Sequence, residues 1–275
     1  MKIEGKICFL GGGMMAEALI SGILKAGLVT AAQIVAVDLA PERRQVLADK
    51  FGIEVSDQAS AVTGCGIVIL AVKPQVVNGL LTANKGLFTS DHLVISIAAG
   101  VSIDILESCL EGRSCRVVRV MPNTPALVME GASALCGGTL AGEDDLQTAR
   151  LLFDAVGRSV VLTEKDMDAV TGLSGSGPAY VFSFIEGLID AGVKVGLARP
   201  VAVTLTLQTV LGATRLAMET GEHPAQLRAM VTSPGGTTIA GLRELEKAGL
   251  GGILMDAVEA ATNRSRELGR QAQEK

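Results

Sequence analysis

The stretch KICFLGGGMMAEALISGILKAG, residues 6–27, decides the fold of the N-terminal half of the chain. It begins with a short apolar run typical of a buried strand. Three glycines follow, and then a segment whose apolar residues recur at helical spacing. The small residues have the pattern Gly11-x-Gly13-x-x-Ala16. The stretch therefore predicts a strand, a glycine turn and a helix in direct succession.

Each small residue in this pattern has a physical role. Gly11 permits a tight turn, Gly13 lets a pyrophosphate approach the backbone, and Ala16 lets the helix pack closely on the strand. The helix start would offer unpaired N–H groups to the phosphates. A second apolar run, IVAV (34–37), ends at Asp38. Strand, glycine turn, helix, strand and acid together predict a dinucleotide site, with a purely structural turn as the alternative.

Asp38 and two arginines bear on which nicotinamide cofactor is used. A carboxylate at Asp38 would accept hydrogen bonds from the ribose hydroxyls of NAD and repel the 2′-phosphate of NADP. Arg43 and Arg44 follow five and six positions later. A guanidinium there could meet that phosphate, or could lie on a solvated helix face. Asp38 favours NADH, but the choice stays open and the expected cofactor is NAD(P)H.

Three further apolar runs predict parallel strands that are covered on both faces. They are GIVILAV (66–72), HLVISI (92–97) and RVVRV (116–120), and they lead into the loops AVKP (71–74), IAAG (97–100) and MPNTP (121–125). Ligands of doubly wound sheets bind beyond the carboxyl ends of the strands, so the three loops predict one crevice. Two more runs, ASALCGG (132–138) and SVVLT (159–163), flank a polar helix and complete the sheet.

The composition limits the class of function. A net charge of −5 argues against a nucleic-acid-binding protein. Two histidines, one tyrosine and no tryptophan leave little for imidazole catalysis or base stacking, and no metal cage is evident. The five cysteines form no CxxC pair, which favours small buried residues in a reducing compartment.

We expect a soluble, cytoplasmic protein that has no membrane partner. The longest apolar stretches are interrupted by Glu186 and Asp190 or by glycine, so no segment is expected to reach the roughly 20 residues of a membrane span. The N-terminal stretch MKIEGKICFLGGG is too short and too glycine-broken for a signal peptide.

The strand-like runs stop after about residue 164. The segment PVAVTLTLQTVLGATRLAMETG predicts a long helix, with Pro200 at its start and Gly221 at its end. Charges are sparse in this helix and in the one before it, so their apolar surface is wider than one small core can cover. We predict a dinucleotide-binding domain over residues 1–164 and a helical substrate-binding and oligomerisation domain over residues 165–275. We expect the chain to form a homodimer or a higher homo-oligomer, with a decamer among the options. One large self-contained bundle is the alternative.

Several dehydrogenase families share this plan. The 3-hydroxyacid and 6-phosphogluconate type carries a catalytic lysine in the pattern G-x-x-G-x-G-x-x-x-K. The chain has Gly172-x-x-Gly175-x-Gly177, followed by Val181 at the place of the lysine. The base of that family is missing, which argues against its chemistry.

The chain closely resembles the pyrroline-5-carboxylate reductase family over essentially all 275 residues. The motifs that carry the resemblance occur in that family's order: AVKP (71–74), SIAAGV (96–101), RVMPNTPALV (119–128), TGLSGSGPAYVF (171–182), DAGVKVGL (190–197), TGEHP (220–224) and VTSPGGTTI (231–239). The last motif and SGSGPAY form the most specific pair. The chain departs from the family at Asp38, where many relatives have a neutral residue.

The resemblance implies an α/β fold, with a Rossmann-like doubly wound sheet followed by an all-α C-terminal dimerisation domain. It implies hydride transfer from NAD(P)H to the C=N carbon of 1-pyrroline-5-carboxylate, which gives L-proline in the last step of proline biosynthesis. The implied cofactor-binding residues are Leu10, Gly11, Gly12, Gly13, Met14, Met15, Asp38, Ala71, Val72, Lys73, Pro74, Ala98, Ala99, Met121, Asn123 and Thr124. Lys73 could instead meet the substrate carboxylate or lie on a solvated loop.

The resemblance also implies that the loop TSPGGTT (232–238) binds the substrate carboxylate through backbone N–H groups and hydroxyls. The implied substrate-binding residues are Ser233, Gly235, Gly236, Thr237, Thr238, Ser174 and Ser176, and Thr238 is also the implied catalytic residue. An ordinary N-capped turn is the alternative for the loop, as helix capping is for Ser174 and Ser176.

Two other functions remain open at this point. One is a reductase of another cyclic imine or carbonyl on the same architecture. The other is a regulatory protein that binds a dinucleotide without turnover.

Overall fold

The computed structural model describes residues 3–273, with side chains described for residues 3–271. These residues form two compact units. One runs through Ser176 and includes the chain from Glu259 onward, and the other extends from Gly177 to Val258. The predicted domain boundary between residues 164 and 165 stays a prediction. Residues 1–2 and 274–275, at the ends of the two predicted domains, lie outside the described residues.

The first unit is built on one sheet. Its described strands are β1 (Ile7–Leu10), β2 (Ile34–Val37), β3 (Glu54–Ser56), β4 (Ile67–Leu70), β5 (Leu93–Ser96), β6 (Arg116–Met121), β7 (Gly131–Gly137) and β8 (Gly157–Val161). The strand order is β3-β2-β1-β4-β5-β6-β7-β8. All neighbouring pairs are parallel except β6 with β7. The chain winds outward from β1 in one direction and from β4 in the other, which places the topological switch point between them.

Helices cover both faces of this sheet, as the continuous apolar runs predict. They are α1 (Met14–Lys25), α2 (Pro41–Phe51), α3 (Pro74–Asn84), α4 (Ile103–Cys109), α5 (Glu143–Asp154) and α6 (Met167–Val170). Side chains alternate along β1: Phe9 packs in one core with Leu19 of α1 and Leu152 of α5. Its neighbour Leu10 packs in the opposite core with Leu81 of α3. Four of the five cysteines are buried and all five are free.

The second unit is helical. Its elements are α7 (Gly177–Lys194), α8 (Arg199–Thr220), α9 (Pro224–Met230), α10 (Thr237–Lys247) and the start of α11 (Leu250–Gln273). Pro200 lies in the first turn of α8, and Gly221 ends the helix with a φ of +66°. The sequence predicted both ends correctly. Gly192 of α7 lies close to Ala202 of α8, since a Cβ on Gly192 would be 3.0 Å from the Cβ of Ala202.

Helix α8 corrects one expectation. It has 22 residues, and its most apolar 18-residue window has a mean hydropathy of 1.3 and is only 11% buried. By length and composition it could cross a membrane, so the expectation that no segment reaches spanning length was wrong. The expectation failed because an isolated glycine does not interrupt a helix: α8 continues through Gly212. Length and composition alone do not separate a membrane span from a helix that packs against another subunit.

Two helical glycines test how closely the helices approach their neighbours. A Cβ on Gly22 of α1 would collide with Cγ1 of Val156 and lie 2.8 Å from the Ala155 carbonyl oxygen, whereas a Cβ on Gly79 of α3 meets nothing within 4 Å. We expect Gly22→Ala to lower the free energy of unfolding by about 2 kcal/mol through overpacking. Gly79→Ala should raise it by up to about 1 kcal/mol. Urea unfolding measures both, and equal effects would contradict this packing.

Candidate active site

The glycine turn between β1 and α1 is shaped by contact with the end of β4. Gly11 has a φ of +108°. A Cβ at this position would lie 2.6 Å from the Ala71 carbonyl oxygen. The Gly11 N–H donates to the Val37 carbonyl at 2.8 Å, and the Ala71 N–H donates to the Leu10 carbonyl at 2.8 Å. Only glycine meets both the backbone angle and the available space at Gly11.

The start of α1 is open. Gly13 is its N-cap, no side chain caps the helix, and a Cβ on Gly13 would meet nothing within 4 Å. The first N–H groups of a helix lack partners within the helix and lie at the positive end of its dipole. Ala16 is fully buried against the sheet. The tight backbone at Gly11 and the open one at Gly13 fit the pyrophosphate of a dinucleotide.

Asp38 ties this turn to the loop that follows β2. Its Oδ2 accepts the Gly12 N–H at 2.7 Å, and its Oδ1 accepts the Ala40 N–H at 2.9 Å. Each carboxylate oxygen has a further lone pair, so a ribose hydroxyl can still donate to it. Asp38 therefore shapes the turn as well as being available to a nucleotide.

The two arginines that follow are held by other groups. Arg43 donates Nε and Nη2 to the Gly12 carbonyl at 2.8 and 2.6 Å, and Nη2 also reaches Oε2 of Glu17 at 2.7 Å. Arg44 donates Nη1 to the Asp38 carbonyl at 2.7 Å. Their side chains are 32% and 21% exposed, so neither lies on a fully solvated helix face. No sequence pattern indicated the contact between Arg43 and Gly12.

The loops after β4, β5 and β6 lie at the same edge of the sheet as the glycine turn. Leu10 pairs with Leu70, and Leu70 pairs with Ser96, so these strands end at one level. The predicted cofactor residues at this edge are Leu10, Gly11, Gly12, Gly13, Met14, Met15, Asp38, Ala71, Val72, Lys73, Pro74, Ala98, Ala99, Met121, Asn123 and Thr124. Lys73 is exposed at the start of α3, which leaves both alternatives for it open.

Asn123 bridges two segments of the first unit. Its Nδ2 donates to the Ser174 carbonyl at 3.0 Å, and its Oδ1 accepts the Ala132 N–H at 2.8 Å. Ser174 belongs to a π-helical turn, Thr171–Gly175, which leads toward α7. Such turns frequently occur at functional sites. The side-chain amide of Asn123 therefore positions this π-helical turn. The motif MPNTP (121–125) alone does not indicate this contact.

The two serines of this region differ in their use. The Ser174 hydroxyl donates to the Val170 carbonyl at 3.2 Å, so it is engaged within its own helix. The Ser176 N–H donates to the Thr171 carbonyl at 2.9 Å. Within residues 3–271, the Ser176 hydroxyl has no protein partner and stays available to a ligand.

In the second unit, the loop TSPGGTT forms the turn before α10. Gly235 has a φ of +67°, and a Cβ on Gly236 would collide with Oγ of Ser233. Gly236 is the N-cap of α10, and no side chain caps this helix. The first turn, with Thr237 and the half-buried Thr238, therefore offers backbone N–H groups to an anion. The alternative of an ordinary turn with a side-chain N-cap does not apply to α10, because no side chain caps its start.

Both histidines have structural contacts. His92 is buried, its Nδ1 accepts the Thr89 N–H at 2.9 Å, and its Nε2 lies 3.4 Å from the Val62 carbonyl. His223 caps α9 by accepting the Ala225 N–H at 3.2 Å. The described part of the chain contains no group of three or more His, Cys, Asp or Glu residues that could hold a metal ion.

Alanine substitutions at Gly11 and Gly13 separate folding from ligand binding. Gly11→Ala forces a Cβ into the Ala71 backbone and should lower the free energy of unfolding by about 2–3 kcal/mol. Gly13→Ala has free space, so it should unfold like the wild type but bind NAD(P)H at least tenfold more weakly. Thermal unfolding and calorimetric titration measure the two effects. Unchanged cofactor affinity in Gly13→Ala would contradict the site.

Two protein families match the chain. Residues 164–268 match the family described as pyrroline-5-carboxylate reductase dimerisation. Residues 6–100 match the family described as NADP oxidoreductase, coenzyme F420-dependent. The first match spans α6 to α10 and most of α11, and the second spans β1 to β5 with the glycine turn.

Curated relatives and solved structures agree with these matches. The chain is 50% identical to the pyrroline-5-carboxylate reductase of Methanosarcina acetivorans over 267 residues, which are 96% of this chain and 98% of that protein. It is 45% identical to that of Pisum sativum over 94% of each chain. The structure of a pyrroline-5-carboxylate reductase from Coxiella burnetii matches with a TM-score of 0.91 and 36% identity, over 97% of this chain and 99% of that one.

A Plasmodium falciparum pyrroline carboxylate reductase with NADP bound matches with a TM-score of 0.87 and 35% identity, over 98% of this chain and 100% of that one. These matches extend over the glycine turn, the strand-end loops and the helical second unit alike. The chain belongs to the pyrroline-5-carboxylate reductase family.

Proposed function

We propose that the chain reduces 1-pyrroline-5-carboxylate to L-proline with NAD(P)H as the hydride donor, the last step of proline biosynthesis. One observation carries this proposal: relatives named pyrroline-5-carboxylate reductase are 40–50% identical to the chain over nearly its whole length. The open glycine turn supports the cofactor assignment, because its backbone leaves room for a pyrophosphate.

The first unit holds the cofactor. NAD(P)H, when bound, supplies the hydride. Gly11 to Gly13 and the start of α1 bind its pyrophosphate through backbone N–H groups. Residues 71–74, 98–99 and 121–124 line its ribose and nicotinamide side, at the carboxyl edge of the sheet.

The loop TSPGGTT holds the substrate carboxylate. The open start of α10 supports this assignment, because its free N–H groups suit a small anion. Ser233, Gly235, Gly236 and Thr237 shape the loop, and the Thr238 hydroxyl contacts the carboxylate or the ring nitrogen. Ser174 and Ser176 belong to a second binding segment, in which the Ser176 hydroxyl is free of protein partners among the described residues.

The reaction needs no strong acid from the protein. An imine nitrogen is basic, and its protonated form accepts a hydride readily, so the proton can come with the substrate or through water or a hydroxyl. The structural contacts of His92 and His223 agree with this chemistry. The rate then depends on holding the donor and acceptor carbons about 3–3.5 Å apart.

Residues 1–164 form the dinucleotide-binding domain, and residues 165–275 form the substrate-binding and oligomerisation domain. A homodimer or higher homo-oligomer is supported by the apolar, exposed side chains of α7 and α8 and by the dimerisation-family match. The dimerisation-family match favours a second copy of the chain, rather than a lipid bilayer, as the partner that covers the exposed side chains of α8.

The free cysteines support a cytoplasmic location, and the negative net charge argues against nucleic-acid binding.

The test of this function is a steady-state assay of the purified chain with 1-pyrroline-5-carboxylate, followed by loss of absorbance at the nicotinamide band. We expect L-proline as the product and much lower rates with other cyclic imines or with carbonyl substrates. Cofactor binding without turnover at any pH would instead indicate a regulatory protein.

In the same assay, Thr238→Ala should raise the KM for 1-pyrroline-5-carboxylate about tenfold, the cost of roughly one lost hydrogen bond to a charged group. The KM for the cofactor should not change, and Thr238→Ser should restore the wild-type value. Thr232→Ala is the matched control in this loop, because its hydroxyl donates to the Arg228 carbonyl at 2.6 Å. Unchanged substrate kinetics in Thr238→Ala would exclude its assignment.

The oligomer can be tested with two equally exposed leucines. Leu205 of α8 and Leu140, in the loop before α5, are each 54% exposed. We expect Leu205→Glu to shift the mass toward the monomer, because it places a charge in the apolar contact between copies. Leu140→Glu should leave the mass unchanged. Light scattering after size-exclusion chromatography measures both, and an oligomer that tolerates Leu205→Glu would place the interface elsewhere.

A further inference from the structure

We infer that Arg43 is a positioning residue of the dinucleotide site: it holds the Gly12 carbonyl and thereby directs the Gly13 N–H toward the pyrophosphate. It does not serve as a ligand of a 2′-phosphate, the role its sequence position suggests. This inference rests on the proposed function only in that the glycine turn binds a nicotinamide dinucleotide.

The contacts of Arg43 fix its guanidinium in one place. Nε and Nη2 both donate to the Gly12 carbonyl oxygen, at 2.8 and 2.6 Å, and Nη2 also donates to Oε2 of Glu17 at 2.7 Å. The other oxygen of Glu17 accepts from Lys50 at 2.8 Å. Hydrogen bonds from Lys50 and then from Arg43 lower the pKa of Glu17, so its carboxylate stays ionised. A planar guanidinium with donors this firmly engaged has little freedom.

The geometry of the peptide group connects Arg43 to the ligand. The Gly12 carbonyl and the Gly13 N–H belong to one planar trans peptide, so they point in opposite directions. A donor that fixes the carbonyl therefore fixes the direction of the N–H. The preceding peptide is fixed as well, because the Gly12 N–H donates to Oδ2 of Asp38 at 2.7 Å. Arg43 and Asp38 thus hold Gly12 from two sides.

Three consecutive glycines need such a restraint. Glycine loses more conformational freedom on ordering than any other residue, so Gly11 to Gly13 would otherwise sample many turn geometries. An N–H already directed at the phosphate binds it without this ordering cost. A side chain at position 12 cannot supply this restraint, because a Cβ on Gly12 would lie 2.9 Å from Cδ1 of Leu47.

A 2′-phosphate would have to compete with these contacts. Moving the guanidinium to a phosphate would leave the buried Gly12 carbonyl and the Glu17 carboxylate without their Arg43 donors. The net gain from such an exchange is small, because two charge-assisted or buried hydrogen bonds are given up. The arrangement therefore assigns Arg43 to the part of the site that NADH and NADPH share.

The test compares both cofactors on Arg43→Gln, with dissociation constants from calorimetry and KM values from the assay. We expect the dissociation constants of NADH and NADPH to rise by the same factor, about tenfold or 1.4 kcal/mol. Their ratio, kcat at saturating cofactor and the KM for 1-pyrroline-5-carboxylate should stay unchanged. Lys50→Gln is the matched control, because Lys50 also pairs with Glu17 but does not touch Gly12, and it should leave both constants unchanged.

Other outcomes would overturn the inference. A loss confined to NADPH would make Arg43 a 2′-phosphate ligand, and no loss for either cofactor would exclude both roles. If Arg43→Gln does not fold, Arg43→Lys provides the same comparison with a smaller, equal rise for both cofactors. Cofactor binding is measured without turnover, so the two hypotheses fail separately. If the chain does not reduce 1-pyrroline-5-carboxylate but Arg43→Gln loses affinity for NADH and NADPH equally, the proposed reaction is contradicted and the role of Arg43 is supported.

Discussion

The backbone contact between Gly11 and Ala71 is the constraint on which the first unit depends. Gly11 directly follows β1 and donates its N–H to the Val37 carbonyl, while Ala71 directly follows β4 and donates its N–H to the Leu10 carbonyl. A side chain at Gly11 would separate these strand ends, since its Cβ would lie 2.6 Å from the Ala71 oxygen. Because this contact holds, β1, β2 and β4 end at one level. The starts of α1 and α3 and the loop after β2 then share the edge where a dinucleotide binds.

Apolar runs and glycine spacing predicted most of the sheet, because burial on both faces leaves a continuous signal in the sequence. They did not indicate β3, which has three residues and begins with an exposed glutamate, Glu54. They also could not indicate that β7 runs antiparallel to β6, since strand direction depends on long-range pairing. The contacts of Arg43 and Asn123 were missed for the same reason: both reach partners 31 to 51 residues away.

The second unit shows where composition is ambiguous in physical terms. Helix α8 is apolar enough for a bilayer, yet only 11% of its most apolar window is buried within the chain. A bilayer and a second subunit both select apolar side chains on several faces of a helix, so hydropathy cannot distinguish them. The match of residues 164–268 to a dimerisation family supplies the information that hydropathy lacks. The proposed second copy would cover the same exposed surface that by composition resembles a membrane span.

The loop TSPGGTT contains no acid or base, which is consistent with the chemistry of the proposed substrate. His92 and His223 are committed to backbone groups, and the loop before α10 offers only N–H groups and hydroxyls. A carbonyl reductase needs a donor of suitable pKa beside the oxygen, because a neutral carbonyl is a poor hydride acceptor. An imine can arrive protonated or take its proton from water or a hydroxyl, so its reduction needs no strong acid from the protein. Such an enzyme gains rate mainly by positioning the cofactor and the substrate. This agrees with motifs made of glycines, serines and threonines, which set the backbone geometry of the glycine turn and of the loop TSPGGTT.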